Sequence, residues 1–184
     1  MDKFTSQMER WGGQFGKEYT DRNALSTKEM ELLYQERYGI TRTEMNSRFI
    51  GNFDRDMKVL EVGSNIGNQL LCLQEAGFKN LYGIELQSYA AELSKSRTNG
   101  INIIQGSAFD IPSKDGFFDL VFTSGLLIHI APGDIATDLL WKTNFAKLFL
   151  DRFKNLRLVR EEHFEYLNDD NVDVMFLLEK GNDG

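Results

Sequence analysis

A short apolar strand that runs directly into a glycine-bearing turn is the feature that most constrains this chain. It occupies residues 59–67, with the sequence VLEVGSNIG. A helix pattern follows over residues 67–77, and a second apolar strand ends in Glu85. A strand, a tight glycine turn, a helix and a second strand that ends in an acid form the pattern of a nucleotide-cofactor site. In such a site the backbone comes close to the cofactor, the helix N-terminus offers free N–H groups, and the acid accepts hydrogen bonds from ribose hydroxyls.

The two glycines of this turn, Gly63 and Gly67, are weaker evidence when taken alone, because turns use glycine for many reasons. The alternative is a strand-to-helix turn that binds no ligand. The position of the acid favours a cofactor site. Glu85 follows Gly67 at close to the spacing of about 20 residues that such ribose-binding acids show.

Strand and helix patterns alternate through the middle of the chain. The strand patterns cover residues 58–62, 80–84, 101–105 and 118–123, and the helix patterns cover 66–76 and 88–97. Alternation with short connections predicts an α/β fold with a Rossmann-like, mostly parallel, doubly wound sheet and helices on both faces. Two further strand patterns, 157–166 and 172–178, flank the segment Asn168-Asp169-Asp170-Asn171 and predict an antiparallel C-terminal hairpin.

Two helix-capping signatures precede the first strand. Ser26-Thr27-Lys28-Glu29 predicts a helix that runs to about residue 38, and Thr41-Arg42-Thr43-Glu44 predicts another that runs to about residue 50. We expect a single domain over residues 1–184, with a helical cap over 1–50 and the Rossmann-like core over 57–184.

The segment after residue 130 offers two helical pieces but no β-branched run for a fifth strand. By comparison with related sheets, we therefore expect one strand to be missing near residues 137–140. The alternatives are a true deletion and a segment left out of the numbering. A true deletion would expose sheet edges.

Composition excludes several classes of protein. A chain of 184 residues with 41% hydrophobic residues can build a packed core. Its 21 basic and 28 acidic residues give a net charge of −7, which disfavours a nucleic-acid partner. No apolar run is long enough for a membrane span, and the N-terminus lacks an apolar signal core, so we expect a cytoplasmic protein. One cysteine, Cys72, and two histidines argue against a metal site.

These motifs together resemble those of class I S-adenosylmethionine-dependent methyltransferases. Residues 61–67 match the first motif of that family, and Glu85 matches its ribose-binding acid. Residues 105–112 resemble the loop that frames the adenine, and residues 117–122 and 126–132 resemble the fourth strand and the segment after it. Glu61, two residues before the turn, favours this family over nicotinamide enzymes. Asn65 departs from the usual third glycine, although asparagine tolerates left-handed backbone better than most residues.

A narrower resemblance lies in the N-terminal run. Trp11, Phe15-Gly16, Tyr19 and Arg22-Asn23 resemble the methyltransferases associated with pseudaminic acid biosynthesis, which also carry the GSNIG form of the turn. This resemblance implies a small acceptor substrate, namely a nonulosonic acid sugar or its nucleotide-linked precursor.

The resemblance implies S-adenosylmethionine as the cofactor. Glu61 would organise its methionine end, Glu85 would bind the ribose hydroxyls, and Arg22 would hold the carboxylate as a bidentate partner. Many relatives carry an acid where Ser107 stands, which leaves adenine recognition to backbone groups, Asp110 or stacking. The expected cofactor-binding residues are Glu61, Gly63, Ser64, Asn65, Gly67, Glu85, Leu86, Ser107, Ala108, Phe109, Thr123, Ser124, Gly125, Tyr19 and Arg22.

His129 is the candidate general base, because the pKa of histidine lies near neutrality. The alternative is a histidine that caps the loop before Pro132. Glu85 can likewise cap the following helix, and Tyr19 and Arg22 can lie on a solvated amphipathic helix.

Three functions stay open at the level of sequence. The first is a methyltransferase that acts on a small, sugar-derived acceptor. The second is an NAD(P)-binding oxidoreductase, although Glu61 would crowd a pyrophosphate. The third is a non-catalytic protein that binds S-adenosylmethionine.

Overall fold

The computed structural model describes residues 6–130 and 143–181. The helices in these residues are α1 (Ser6–Gly12), α2 (Gln14–Arg22), α3 (Thr27–Tyr38), α4 (Arg42–Ile50), α5 (Asn68–Glu75), α6 (Ser88–Arg97) and α7 (Phe145–Arg152), with a 3-10 turn at Leu127–His129. The strands are β1 (Lys58–Val62), β2 (Asn80–Glu85), β3 (Asn102–Gln105), β4 (Leu120–Phe122), β5 (Leu156–Glu165) and β6 (Val172–Lys180).

The described residues form two compact units. The first unit holds residues 6–28 and 53–130, and the second holds residues 29–52 and 143–181. The organisation as a single domain over residues 1–184 stays a prediction. The strand expected to be missing near residues 137–140 lies outside the described residues.

A four-stranded parallel sheet forms the centre of the first unit. Its strand order is β3-β2-β1-β4, and each described pairing is parallel. Val62 is paired with Ile84, and Glu85 is paired with Gln105, so the carboxyl ends of these strands lie side by side. The predicted parallel α/β sheet with helices is confirmed.

Buried apolar side chains hold α5 and α6 against this sheet. Val59 on β1, Leu70 on α5 and Leu81 on β2 are fully buried. Ala90 and Ala91 on α6 are also fully buried, and their small side chains let the helix lie close to β2 and β3. The apolar pattern that predicted these elements is therefore the pattern that forms the core.

A long antiparallel hairpin organises the second unit. β5 pairs with β6 along most of its length, with one irregularity between Leu158 and Arg160. Within this unit, the hydroxyl groups of Tyr38 and Tyr166 both donate to Oδ2 of Asp173 on β6. Burial raises the pKa of Tyr38, so its hydroxyl stays protonated and continues to donate. The predicted hairpin is confirmed.

The second capping signature is also confirmed. The Thr41 side chain accepts a hydrogen bond from the Glu44 N–H, and the Glu44 carboxylate accepts one from the Thr41 N–H at 2.7 Å. This reciprocal pair satisfies two of the N–H groups that a helix start leaves without partners.

Several element bounds differ from the sequence prediction by one or two residues. The helix expected from residue 66 begins at Asn68, because Gly67 takes a left-handed conformation and acts as the N-cap. The fourth strand is shorter than expected and begins at Leu120. Phe118 precedes it, and its ring packs edge-to-face on that of Tyr82, with centroids 5.3 Å apart.

None of the helices within the described ranges has the length and apolar character that crossing a membrane requires.

We expect Leu81→Ala to lower the free energy of unfolding by about 2–5 kcal/mol, because the lost side chain is fully buried between sheet and helices. Ile104→Ala on the neighbouring strand β3 is the matched control, since Ile104 is 39% exposed and should cost less than half as much. Urea titration followed by circular dichroism measures both values. Equal losses for the two variants would contradict this placement of the core.

Candidate functional site

The turn after β1 is fastened to the end of β2. The N–H groups of Gly63 and Ser64 both donate to the carbonyl of Ile84, at 2.9 and 3.1 Å. Gly63 and Gly67 have φ angles of 75° and 79°, in the left-handed region that favours glycine. A Cβ atom on Gly67 would lie 2.7 Å from Oγ of Ser94, so space as well as conformation requires glycine there.

Asn65 takes the place of a third glycine in this turn. Its φ angle is 45°, also left-handed, a region that asparagine enters at less cost than most residues. Its N–H donates to Oε2 of Glu85 at 2.8 Å. Its side-chain Oδ1 atom is buried and has no hydrogen-bond partner in the part of the chain that the structure describes. The turn therefore presents a buried acceptor atom.

Glu85 lies at the end of β2 and links three backbone segments. Its Oε1 atom accepts from the N–H of Gln87 at 2.8 Å, while Oε2 accepts from Asn65. Burial raises the pKa of Glu85, and the N–H groups of Gln87, Asn65 and Leu86 partly offset that effect. A carboxylate has about four lone-pair sites, so these bonds leave capacity for donors from a ligand. The helix-capping and ligand-binding interpretations of Glu85 are compatible.

A cavity of about 150 Å³ lies within the first unit, at the carboxyl ends of the strands. Ligands of open α/β sheets bind at such ends. All four strands of the sheet lead into it, and helices α1 and α2 also contribute. The lining residues that follow or end the strands are Gly63, Asn65, Ile84, Glu85, Leu86, Gln87, Gly106, Ser107, Ala108, Phe109, Ser124, Gly125, Leu126, His129 and Ile130.

Aromatic rings form the wall of the cavity at the β4 end. The ring of Trp11 has its centroid 4.5 Å from that of His129 and 5.1 Å from that of Tyr19. Phe15 packs edge-to-face against Trp11 at 5.0 Å. The indole Nε1 atom of Trp11 is buried, and no described residue gives it a hydrogen-bond partner. This wall therefore combines apolar faces with one unsatisfied donor.

Most of the residues expected from the sequence line this cavity. They are Tyr19, Gly63, Asn65, Glu85, Leu86, Ser107, Ala108, Phe109, Ser124, Gly125 and His129. Five others do not belong to the lining: Glu61, Ser64 and Gly67 are buried, Thr123 is half-buried, and Arg22 is exposed at the end of α2. The roles assigned to all of these residues stay predictions.

Sequence reasoning missed most of the helical side of the cavity. Gln7, Met8, Trp11, Gly16 and Thr20 line it from α1 and α2. Met8, Trp11, Gly16 and Thr20 recur at intervals of three to five residues, a helical-face signal that could have indicated a common surface. Gln87 was also missed, because nothing local marks a glutamine that becomes buried.

The described residues contain no group of three or more His, Cys, Asp or Glu side chains that could hold a metal ion.

A family model described as a methyltransferase domain matches residues 60–140, which include the end of β1, the turn and strands β2 to β4. Residues 60–140 are therefore similar to a methyltransferase domain. Domains of this class take S-adenosylmethionine as the methyl donor, and the class I fold expected from the sequence is confirmed. No curated protein matches the sequence closely enough to count as a relative.

Solved structures share the fold of this domain. Magnesium protoporphyrin IX methyltransferase from Synechocystis PCC 6803 aligns with a TM-score of 0.65 at 11% identity, over 98% of this chain and 100% of that one. A putative methyltransferase in complex with the Haloferax volcanii Trm112 activator aligns with a TM-score of 0.59 at 12% identity, over 91% of this chain and 84% of that one. A putative S-adenosylmethionine-dependent methyltransferase from Methanococcus maripaludis aligns with a TM-score of 0.51 at 16% identity, over 74% of this chain and 58% of that one.

The alignments with two other solved structures span only 40% and 36% of those chains. At these levels of identity the likeness shows the fold.

The raised pKa of Glu85 gives a test in the free domain. Between the ordinary value of 4.5 and the raised value, the folded state holds a proton that the unfolded state has released. The stability contributed by Glu85 is therefore lost as the pH rises through this interval. The glutamine of the Glu85→Gln variant cannot titrate. We therefore expect the free energy of unfolding of this variant, relative to that of the wild type, to increase as the pH rises across the interval. Urea unfolding at a series of pH values measures this difference.

Glu44→Gln is the control of opposite sign for this test. Hydrogen bonds from the Thr41 backbone and hydroxyl lower the pKa of Glu44, so its contribution is present at neutral pH and lost as the pH falls through the lowered value. Its stability relative to the wild type should therefore increase as the pH falls. A difference for Glu85→Gln that does not depend on pH would contradict the raised pKa.

Proposed function

We propose that this protein transfers a methyl group from S-adenosylmethionine to a small-molecule acceptor. The observation that carries the proposal is the pairing of Glu85 with Asn65 at the ends of two neighbouring strands, on one cavity of a methyltransferase domain. A partly satisfied carboxylate and an amide oxygen without a partner are groups that suit a ligand rich in hydrogen-bond donors.

The lining fits the parts of this cofactor. The Glu85 carboxylate suits the two ribose hydroxyls, which donate hydrogen bonds, and Oδ1 of Asn65 suits the ammonium group of the methionine part. Leu86, Ala108 and Phe109 offer apolar surface of the kind that flanks an adenine ring. Phe109 is 56% exposed, which leaves its ring available for such a contact.

When bound, the cofactor supplies a methyl group on a sulfonium sulfur, whose transfer is an in-line displacement. The contribution of the protein is mainly to hold donor and acceptor in line, and proximity of this kind can be worth about 7–11 kcal/mol. In this proposal, the side chains of α1 and α2 that line the cavity shield the reacting groups from water.

His129 is the proposed general base. Its ring belongs to the lining at the β4 end, beside Trp11 and Tyr19. From there it can accept the proton that an acceptor hydroxyl or amine loses as it is methylated, an effect worth about 10²–10⁴-fold in rate.

The narrower part of the proposal is an acceptor derived from a nonulosonic acid sugar. Its support is the sequence resemblance of the N-terminal run and of the GSNIG form of the turn. Trp11 and Tyr19 from that run line the cavity, and their rings offer apolar faces on which a ring-shaped acceptor can pack. Arg22 is left out of the proposed site because it is exposed and outside the lining.

Calorimetry with S-adenosylhomocysteine and with NAD tests the choice of cofactor. We expect S-adenosylhomocysteine to bind and NAD not to bind. Glu85→Ala should weaken the binding of S-adenosylhomocysteine about tenfold or more, because hydrogen bonds to a charged group contribute about 1.5–3 kcal/mol each. Glu92→Ala, an exposed acid on α6, should leave the affinity unchanged. Binding of NAD without S-adenosylhomocysteine would favour the oxidoreductase instead.

Mass spectrometry tests the catalytic step. Incubation with S-adenosylmethionine and a panel of nucleotide sugars and nonulosonic acids should give a product with one added methyl group. His129→Gln should lower its rate of formation about 10²–10⁴-fold while the affinity for S-adenosylhomocysteine stays the same. The control is His163→Gln on the exposed hairpin strand β5, which should change neither value. Tight cofactor binding without methylation of any acceptor would favour a non-catalytic binding protein.

A further inference from the structure

Gln87 connects the end of β2 to the corner between α1 and α2. Its side chain is only 6% exposed. Its Nε2 group donates to the carbonyl of Gly12 at 3.0 Å and to that of Gly13 at 2.8 Å. Gly12 ends α1, and Gly13 is the N-cap of α2. One buried amide group therefore holds both helices at the point where they meet.

The remaining polar groups of Gln87 are also engaged. Its Oε1 atom accepts from the N–H of Tyr89 at 2.8 Å and so caps the start of α6. Its backbone N–H donates to Oε1 of Glu85. This residue thus joins the carboxylate at the cavity, the start of α6 and the α1–α2 corner. Removing its donors would take away the hydrogen bonds that join the Gly12 and Gly13 carbonyls to the end of β2, although the Gly13 carbonyl would still accept from the N–H of Lys17.

The α1–α2 corner carries the aromatic wall of the cavity. Trp11 directly precedes the two glycines whose carbonyls Gln87 binds. The corner is tightly packed, since a Cβ atom on Gly16 would lie 1.8 Å from the carbonyl oxygen of Trp11. The backbone of Trp11 thus lies directly against α2, and the same residue contacts His129 through its ring. We therefore expect a shift of the corner to disturb the contact between Trp11 and His129.

We propose that Gln87 is a positioning residue of this site, which holds the α1–α2 corner so that Trp11 and Tyr19 close the cavity beside His129. Its effect on ligand affinity rests on the proposed function. Its effect on the α1–α2 corner does not depend on the proposed function, because the hydrogen bonds to Gly12 and Gly13 form in the protein without any ligand.

Gln87→Ser separates the two roles of the side chain. Serine is a favoured N-cap and keeps the start of α6, but it is too short to reach the Gly12 and Gly13 carbonyls. In hydrogen exchange of the ligand-free protein, we expect the amides of α2 to exchange at least tenfold faster, while those of β1, β2 and α5 keep their wild-type rates. The affinity for S-adenosylhomocysteine should fall at least tenfold in the same variant.

Two control variants accompany this measurement. Tyr89→Phe removes the hydrogen bond from the Tyr89 hydroxyl to Asp21, which also joins α6 to α2 but lies on the surface, so both readouts should change less than twofold. Asn144→Ala removes the side-chain cap of α7 in the second unit and should lower the thermal midpoint without changing exchange in α2.

Wild-type exchange in α2 of Gln87→Ser would overturn the proposal. Equal acceleration in α2, β1, β2 and α5 would also overturn it, because it would reveal general destabilisation. If Gln87→Ser does not fold, Gln87→Asn, which shortens the amide by one methylene, is measured against the same criteria. If the wild-type protein binds no S-adenosylhomocysteine, the proposed function is wrong, but the hydrogen-exchange test of Gln87 still applies.

Discussion

The site depends on the hydrogen bonds that the Glu85 carboxylate accepts. One oxygen binds the N–H of Asn65 in the turn after β1, and the other binds the N–H of Gln87 before α6. Glu85 thereby holds two connections at the carboxyl edge of the sheet, the β1–α5 turn and the β2–α6 connection. Burial raises the pKa of that acid because it disfavours the charged form, and each further hydrogen-bond donor stabilises the charged form again. A ligand hydroxyl is such a donor, which joins the structural role of Glu85 to its proposed role in binding.

The two ends of the cavity differ in chemistry. The ends of β1 and β2 offer oxygen acceptors, whereas the β4 end is an aromatic wall built on Trp11 and His129. In the proposed function, the first end holds the methyl donor, and the aromatic wall at the second end closes over the donor and faces the acceptor. The helices α1 and α2 supply much of the second end, and Gln87 connects them to the first. A side chain that contacts no reacting group can therefore control the geometry of both ends.

The methyltransferase match covers the sheet and its turn, whereas α1 and α2 lie outside residues 60–140. Solved structures with the same fold have sequence identities of 11–16%. One fold supports many reactions, because substrate choice depends on the particular side chains around the site. In the proposed function, the acceptor is therefore selected by the side chains that α1, α2 and the segment after β4 bring to the cavity.

The sequence by itself determined β1 at Lys58–Val62, α6 at Ser88–Arg97, the hairpin and the acid at the end of β2. These features follow from short-range periodicity, capping and turn residues, which act within a few positions of the chain. Only the tertiary structure decided that Trp11 lies on His129, that Gln87 binds Gly12, and that Arg22 stays outside the cavity lining. Gln87 and Gly12 are 75 positions apart, so their contact arises only when the folded sheet and the helical corner pack together.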